Sequence, residues 1–164
     1  WLKHSTHTIT INHAFVDVIQ ACATIPRGPI LTEDGTIQHN GIWITQAMIE
    51  AYIELHRARH AHSIEIWNES GQLVGGLYGV SIGGVFCGES MFHTEPNTSK
   101  LAFISLVQHM KQHNGLFIDC QLQNPYLASI GVIEVSRELY LEKLQLAIAL
   151  PSAQSMWSPQ EVKL

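Results

Sequence analysis

The chain is 164 residues long, enough to bury one sizeable core as a single domain, and 46% apolar against 14% charged residues exclude a disordered polypeptide. No apolar run approaches the roughly 20 residues of a membrane helix, and the widely spaced Cys22, Cys87 and Cys120 make neither a disulfide framework nor a CxxC metal site, so a reducing, cytoplasmic setting is expected. A formal charge of −5 with nine Lys and Arg argues against a broad basic face for nucleic acid, so any such contact must be local or supplied elsewhere.

Thr8 to Ile11 alternates Thr with Ile and reads as a short strand, and residues 13–23 carry Phe15, Val18, Ile19 and Cys22 at helical spacing. Residues 24–41 hold Pro26, Gly28, Pro29, Gly35 and Gly41 without periodicity and are expected to form a loop. Thr45 can cap a helix running to about His60, with Met48, Tyr52 and Leu55 on one face. Ser63 to Trp67 and Leu73 to Val80 are strand-like runs around the turn residues Asn68, Glu69, Ser70 and Gly71, with a third strand near Val85 to Cys87. Thr98 or Ser99 opens a helix through Phe103, Leu106, Val107 and Met110, ended by Asn114 and Gly115, and Leu116 to Cys120 reads as a short buried strand. A last helix over Ser136 to Leu146 carries Leu139 and Leu144, with Ile148 beyond it, and Pro151 ends the pattern. This order predicts an α/β (α+β) fold: a mainly antiparallel sheet flanked by helices, with a β-β-β-α-β core.

Four segments carry chemistry. In Gly75-Gly76-Leu77-Tyr78-Gly79-Val80, glycines interrupt a good strand, either for a bulge or for a close approach to the backbone. In Phe86-Cys87-Gly88-Glu89-Ser90-Met91-Phe92 one carboxylate sits among apolar residues, a surface turn or a functional Glu89. Asp119 and Gln121, two apart after an apolar strand, would share a face on a continuing strand and orient an incoming amine; Asp119 could equally cap a helix. Trp43 precedes a helix, where its indole either closes a hydrophobic staple or stacks on a base. His56, His60 and His62 lack HExxH order and are interleaved with Arg57 and Arg59, so no metal is expected.

Taken together, Gly41-Ile42-Trp43-Ile44-Thr45, His60 to Trp67, Leu73 to Val80, Phe86 to Phe92, the pair Ser99-Lys100 and Ile118-Asp119-Cys120-Gln121 resemble, in order and spacing, the bacterial leucyl/phenylalanyl-tRNA–protein transferases, over roughly residues 8–146. The resemblance implies a GNAT-like acyltransferase fold. It also implies a reaction without cofactor: Leu or Phe leaves the 3′ ester of Leu-tRNA or Phe-tRNA and joins a protein whose N-terminal residue is Arg or Lys, making an N-degron. By position it implies Glu89, Asp119 and Gln121 as the catalytic centre, with Asp119 tuning Gln121 toward the amine. Trp43 falls on the 3′-terminal adenosine, and Asn124, Ser129 and Gly131 fall in the matching NxxxASxG region. Leu77, Phe86, Met91, Phe103, Leu106, Met110 and Ile118 are expected to line the pocket for the Leu or Phe side chain.

A monomer of one catalytic domain, residues 1–164, without the family's N-terminal domain, is expected. Only Lys3, His4 and His7 remain of the basic cluster that relatives carry near this start. The loop over residues 25–40 is longer than the family pattern, and Tyr126 stands where His is common. The alternatives are an adaptor that binds N-terminal Arg or Lys without transfer, and a CoA-dependent N-acetyltransferase. The latter wants a Gly-rich pyrophosphate cradle that Glu95 to Lys100 does not provide.

Overall fold

The alternating isoleucines of β1 (Thr8–Ile11) and β4 (Ala61–Trp67) pair antiparallel, Ile9 against Ile66 and Ile11 against Ile64, and put all four side chains into one core. In this computed structural model, which describes residues 5–25, 30–31, 37–38, 43–151 and 154–163, they sit within a six-stranded sheet. Its order is β7 (Phe117–Asp119), β6 (Val85–His93), β5 (Leu73–Ile82), β4, β1 and β8 (Gln160–Val162). Every pairing is antiparallel except β6 with β7.

Helices cover both faces. α1 (Phe15–Thr24) and α2 (Gln46–Arg57) bury Phe15, Val18, Ile19 and Cys22, with Met48 and Tyr52, against Tyr78 and Phe92. α3 (Thr98–Gln112) lays Leu101, Phe103, Leu106 and Met110 on the opposite face, against Ile64, Leu77 and Phe86. Thr45 caps α2 as its position predicts, its hydroxyl accepting from the Met48 amide. The N-cap of α1, Ala14, has no capping side chain; the buried Glu65 of β4 substitutes, accepting from the His13 and Ala14 amides and from the Thr10 and Ser63 hydroxyls. Thus a carboxylate in mid-strand is satisfied by a helix N-terminus and two hydroxyls.

Several elements go beyond the sequence pattern. β6 continues past Cys87 to His93. A short α4 (Pro125–Ser129) starts at Asn124, whose Oδ1 accepts from the Leu127 amide at 2.8 Å with proline in the first turn. After α5 (Arg137–Ile148), a 3-10 turn at Gln154–Trp157 leads into β8. There the Trp157 ring stacks on His62 at 4.5 Å, and its Nε1 donates to Ser81 Oγ at 3.0 Å. Within the segment expected to be a loop, Ile30–Leu31 (β2) and Ile37–Gln38 (β3) pair antiparallel. Residues 26–29, 32–36 and 39–41 of it lie outside the described residues, as do Lys3, His4 and Ile42. Among the described residues no helix is long and apolar enough to cross a membrane.

Candidate active site

The site begins at an irregularity. Tyr78 pairs with Ser90 and Gly79 with Gly88, so Glu89 faces no residue of β5 and forms a β-bulge. A bulge breaks the alternation of a strand and re-aims its side chain. Gly79 permits the close approach: a Cβ there would lie 2.2 Å from the Cys87 carbonyl oxygen. Gly75 likewise admits α3, since its Cβ would lie 2.5 Å from Thr98 Oγ1. Both readings of the glycine run therefore apply, at different glycines.

Glu89 opens onto a cavity of about 700 Å³ between the bulged strand and α3. Leu77 and Met91, opposite each other on β5 and β6, line it together with Phe103, Leu106 and Ile118, and Gln121 and Asn124 supply amides at its wall. Eight of the residues proposed from sequence thus meet: Leu77, Glu89, Met91, Phe103, Leu106, Ile118, Gln121 and Asn124. Among the described residues Glu89 is the only carboxylate of this lining, and no Lys or Arg joins it.

Other positions fall elsewhere. Phe86 lies wholly in the core on the α3 face, 5.3 Å from the Trp157 ring, and does not line the cavity. Met110 lines a second, adjoining cavity of about 980 Å³ instead. Trp43 is 44% exposed and lines neither cavity, while Ile44, buried beside Ile49, occupies the stapling position before the Thr45 cap. Ser129 and Gly131 end α4 and begin the segment after it, with Gly131 on the second cavity.

Asp119 also lines the second cavity, not the first, and its relation to Gln121 differs from the expected one. β7 ends at Asp119, and the chain turns so that Gln121 adopts φ +57°, a left-handed conformation; the two do not share a strand face. Instead Asp119 Oδ1 accepts from the Gln121 amide at 2.8 Å, an Asx-type turn. Gln121 consequently stands in the wall common to both cavities.

Two tyrosines that sequence reasoning did not assign to the site hold its carboxylates. The Tyr140 hydroxyl donates to Asp119 Oδ2 at 2.8 Å. Tyr52 of α2 hydrogen-bonds Glu89, and burial together with that carboxylate raises its phenol above the ordinary range. Burial, reinforced by Asp119 and Glu89, also raises the Cys87 thiol, and burial with Asp119 raises Cys120. Both thiols stay protonated at neutral pH and are poor nucleophiles. The imidazoles diverge: His56 stacks on Phe15 at 4.2 Å and its Nδ1 donates to the Ala61 carbonyl, while His62 packs on Trp157. Among the described residues no group of three or more His, Cys, Asp or Glu could hold a metal ion.

The model of the leucyl/phenylalanyl-tRNA protein transferase family matches residues 1–145. Relatives named leucyl/phenylalanyl-tRNA–protein transferase include one from Pseudoalteromonas atlantica (strain T6c), 51% identical over 99% of this chain and 64% of its own length. Another, from Pseudoalteromonas translucida (strain TAC 125), is 48% identical over 98% of this chain and 63% of its own. A third, from Yersinia pestis (strain Pestoides F), is 42% identical over 99% and 63%. This chain therefore spans less than two thirds of the length of these relatives. The solved structure of AAC(6')-Iy with a CoA-containing bisubstrate analogue superposes with a TM-score of 0.50 at 14% identity, over 81% of this chain and 95% of that one. That likeness concerns the fold alone, which is GNAT-like as expected.

Proposed function

Because this chain belongs to the leucyl/phenylalanyl-tRNA–protein transferase family, we propose that it moves Leu or Phe from the 3′ ester of a charged tRNA onto a protein beginning with Arg or Lys. The observation that carries this reading is the apolar cavity under the Glu89 bulge, closed by Leu77, Met91, Phe103 and Leu106 and edged by Gln121 and Asn124. Such a lining, apolar with a few polar groups, suits an aliphatic or aromatic side chain.

An aminoacyl ester is already activated, so the reaction needs positioning and one proton transfer. The neutral amine attacks the ester carbonyl, a C–N bond forms, the C–O bond to the 3′ oxygen breaks, and the amine's proton ends on the released 3′ hydroxyl. Gln121 orients the amine, and Asp119 sets the turn that presents Gln121. Glu89, the only carboxylate described in the cavity wall, faces the positive side chain of the acceptor. The exposed Trp43 stacks on the terminal adenosine. No cofactor takes part in these steps. The donor sets the compartment, since charged tRNA is cytoplasmic, and the chain acts as a monomer.

The test is incubation with radiolabelled Leu-tRNA and a protein beginning with Arg, in EDTA and without ATP or CoA. Label on the acceptor's N-terminus is the expected result. No transfer, inactivation by the chelator, or a requirement for acetyl-CoA would overturn it.

A further inference from the structure

Two substrates must meet in the proposed reaction, and two cavities meet at Gln121. The second cavity, about 980 Å³, shares Phe103, Ile118, Cys120, Gln121 and Leu122 with the first. It then runs past Asp119 between β7 and residues 130–135. Its character is different. Three of the chain's nine Lys and Arg, Lys111, Arg137 and Lys143, line it against Glu134 and Asp119, whereas none lines the first cavity. In a chain of formal charge −5 this is a local reversal of sign.

Its wall is also a sheet edge. β7 pairs only with β6 and is the terminal strand of the sheet on that side. An edge strand offers amide and carbonyl groups to another extended chain. Beside it stand apolar side chains left in solvent: Leu122 is 81% exposed and Ile133 76% exposed, both on this cavity.

Resting on the transferase reading, we propose that the acceptor polypeptide, behind its reacting N-terminal residue, lies extended in this second cavity along the edge of β7. Acidic residues shortly after the N-terminus face Lys111, Arg137 and Lys143. Continuity supports this occupant, because a chain whose amine is at Gln121 has the second cavity directly open to its following residues. Charge complementarity selects its acidic character. RNA phosphates would also meet the three cations, but RNA has no peptide backbone to pair along a strand edge and would leave the exposed Leu122 and Ile133 without apolar partners.

The experiment measures binding of fluorescent peptides by anisotropy. All begin with Arg and differ only in whether the next residues are acidic or basic, and one acidic peptide carries N-methyl groups on alternate amides. The acidic peptide should bind about three- to tenfold tighter than the basic one, as expected for a few partly screened charge pairs. N-methylation should weaken it. The charge-reversed variant Lys111→Glu/Arg137→Glu/Lys143→Glu, altered only at exposed positions, should reverse the preference. Equal affinity for the two peptides, indifference to N-methylation, or an unchanged preference in the variant would overturn the proposal. So would a variant that loses Leu-tRNA in filter binding while keeping its peptide preference, since the cavity would then belong to RNA. Transfer of Leu to arginine amide by the unaltered chain is the separate control. Arginine amide has no following residues, so its failure would sink the transferase reading while the anisotropy still reports on the cavity.

Discussion

The Tyr140 hydroxyl donates to Asp119 Oδ2 at 2.8 Å, and the other oxygen of the same carboxylate accepts the Gln121 amide, also at 2.8 Å. Asp119 is therefore tied at both oxygens, at one by the Gln121 amide and at the other by a tyrosine whose ring packs edge-on to Phe117 at 6.0 Å. The carboxylate raises the Tyr140 phenol, with a lesser contribution from partial burial, so the donor keeps its proton at neutral pH. Tyr140→Phe should leave the fold intact and lower kcat by roughly fivefold, about 1 kcal/mol, with KM for Leu-tRNA unchanged. A kcat equal to that of the unaltered chain would mean that the hydrogen bond orients nothing the reaction uses.

Asp119→Asn retains an oxygen for the Gln121 amide and so retains the turn, whereas Asp119→Ala removes it. The Asn variant should lose turnover far more than affinity, and Gln121→Ala should do likewise. If the two residues act as one unit, the Asp119→Asn/Gln121→Ala double variant should be little worse than the worse single one. Single-turnover kinetics, with circular dichroism to verify folding, read this directly. Additive losses would separate the roles of the two residues.

Met91 faces Leu77 across the bulged strands and lines the cavity with it. Met91→Ala should weaken the preference for Leu over smaller residues by about 1–3 kcal/mol, the usual worth of one or two methylenes in an apolar pocket. Competition between Leu-, Phe- and Val-tRNA measures it. Unaltered ratios would move the side-chain pocket away from Met91.

Burial lowers the pKa of His62 to about 3 and of His109 to about 4. Unfolded imidazoles titrate near 6.5, so below that pH the unfolded chain binds protons that the folded chain refuses. Stability is thus unaffected by these groups above pH 6.5 and falls as the pH drops from there toward 4, by at most about 1.4 kcal/mol per pH unit for each. Urea midpoints at pH 7 and pH 5 should differ accordingly, and His62→Gln should flatten the dependence. Equal midpoints would show that the folded chain accepts these protons.

The sheet and its flanking helices are legible in the sequence because their signals are local. Ile9, Ile11, Ile64 and Ile66 alternate, and Thr45, Met48 and Tyr52 carry a cap and a helical face. Where the signal is a relation between distant residues, it is not. That Glu89 bulges depends on the partners β5 offers, and Cys87-Gly88-Glu89-Ser90 has no alternation from which to read a strand continuing to His93. Tyr140 reaches Asp119 from 21 residues away, and Glu65 caps a helix 51 residues before it. The expectation that Asp119 and Gln121 share a strand face fails because the strand stops at the first of them. Asn124 followed by Pro125 was a readable start for α4, whereas nothing around Trp157 indicates that it packs on His62.

β8 has a consequence for self-association. By pairing with β1 it covers the backbone groups along the far side of the sheet, and the preceding Met156 and Trp157 fill the core beneath. A chain ending near residue 150 would leave the backbone of β1 unpaired on that side, beside the core space that Met156 and Trp157 fill. That is the template on which a second copy docks its own strand. Truncation before β8 should therefore appear first as aggregation, before any loss of chemistry.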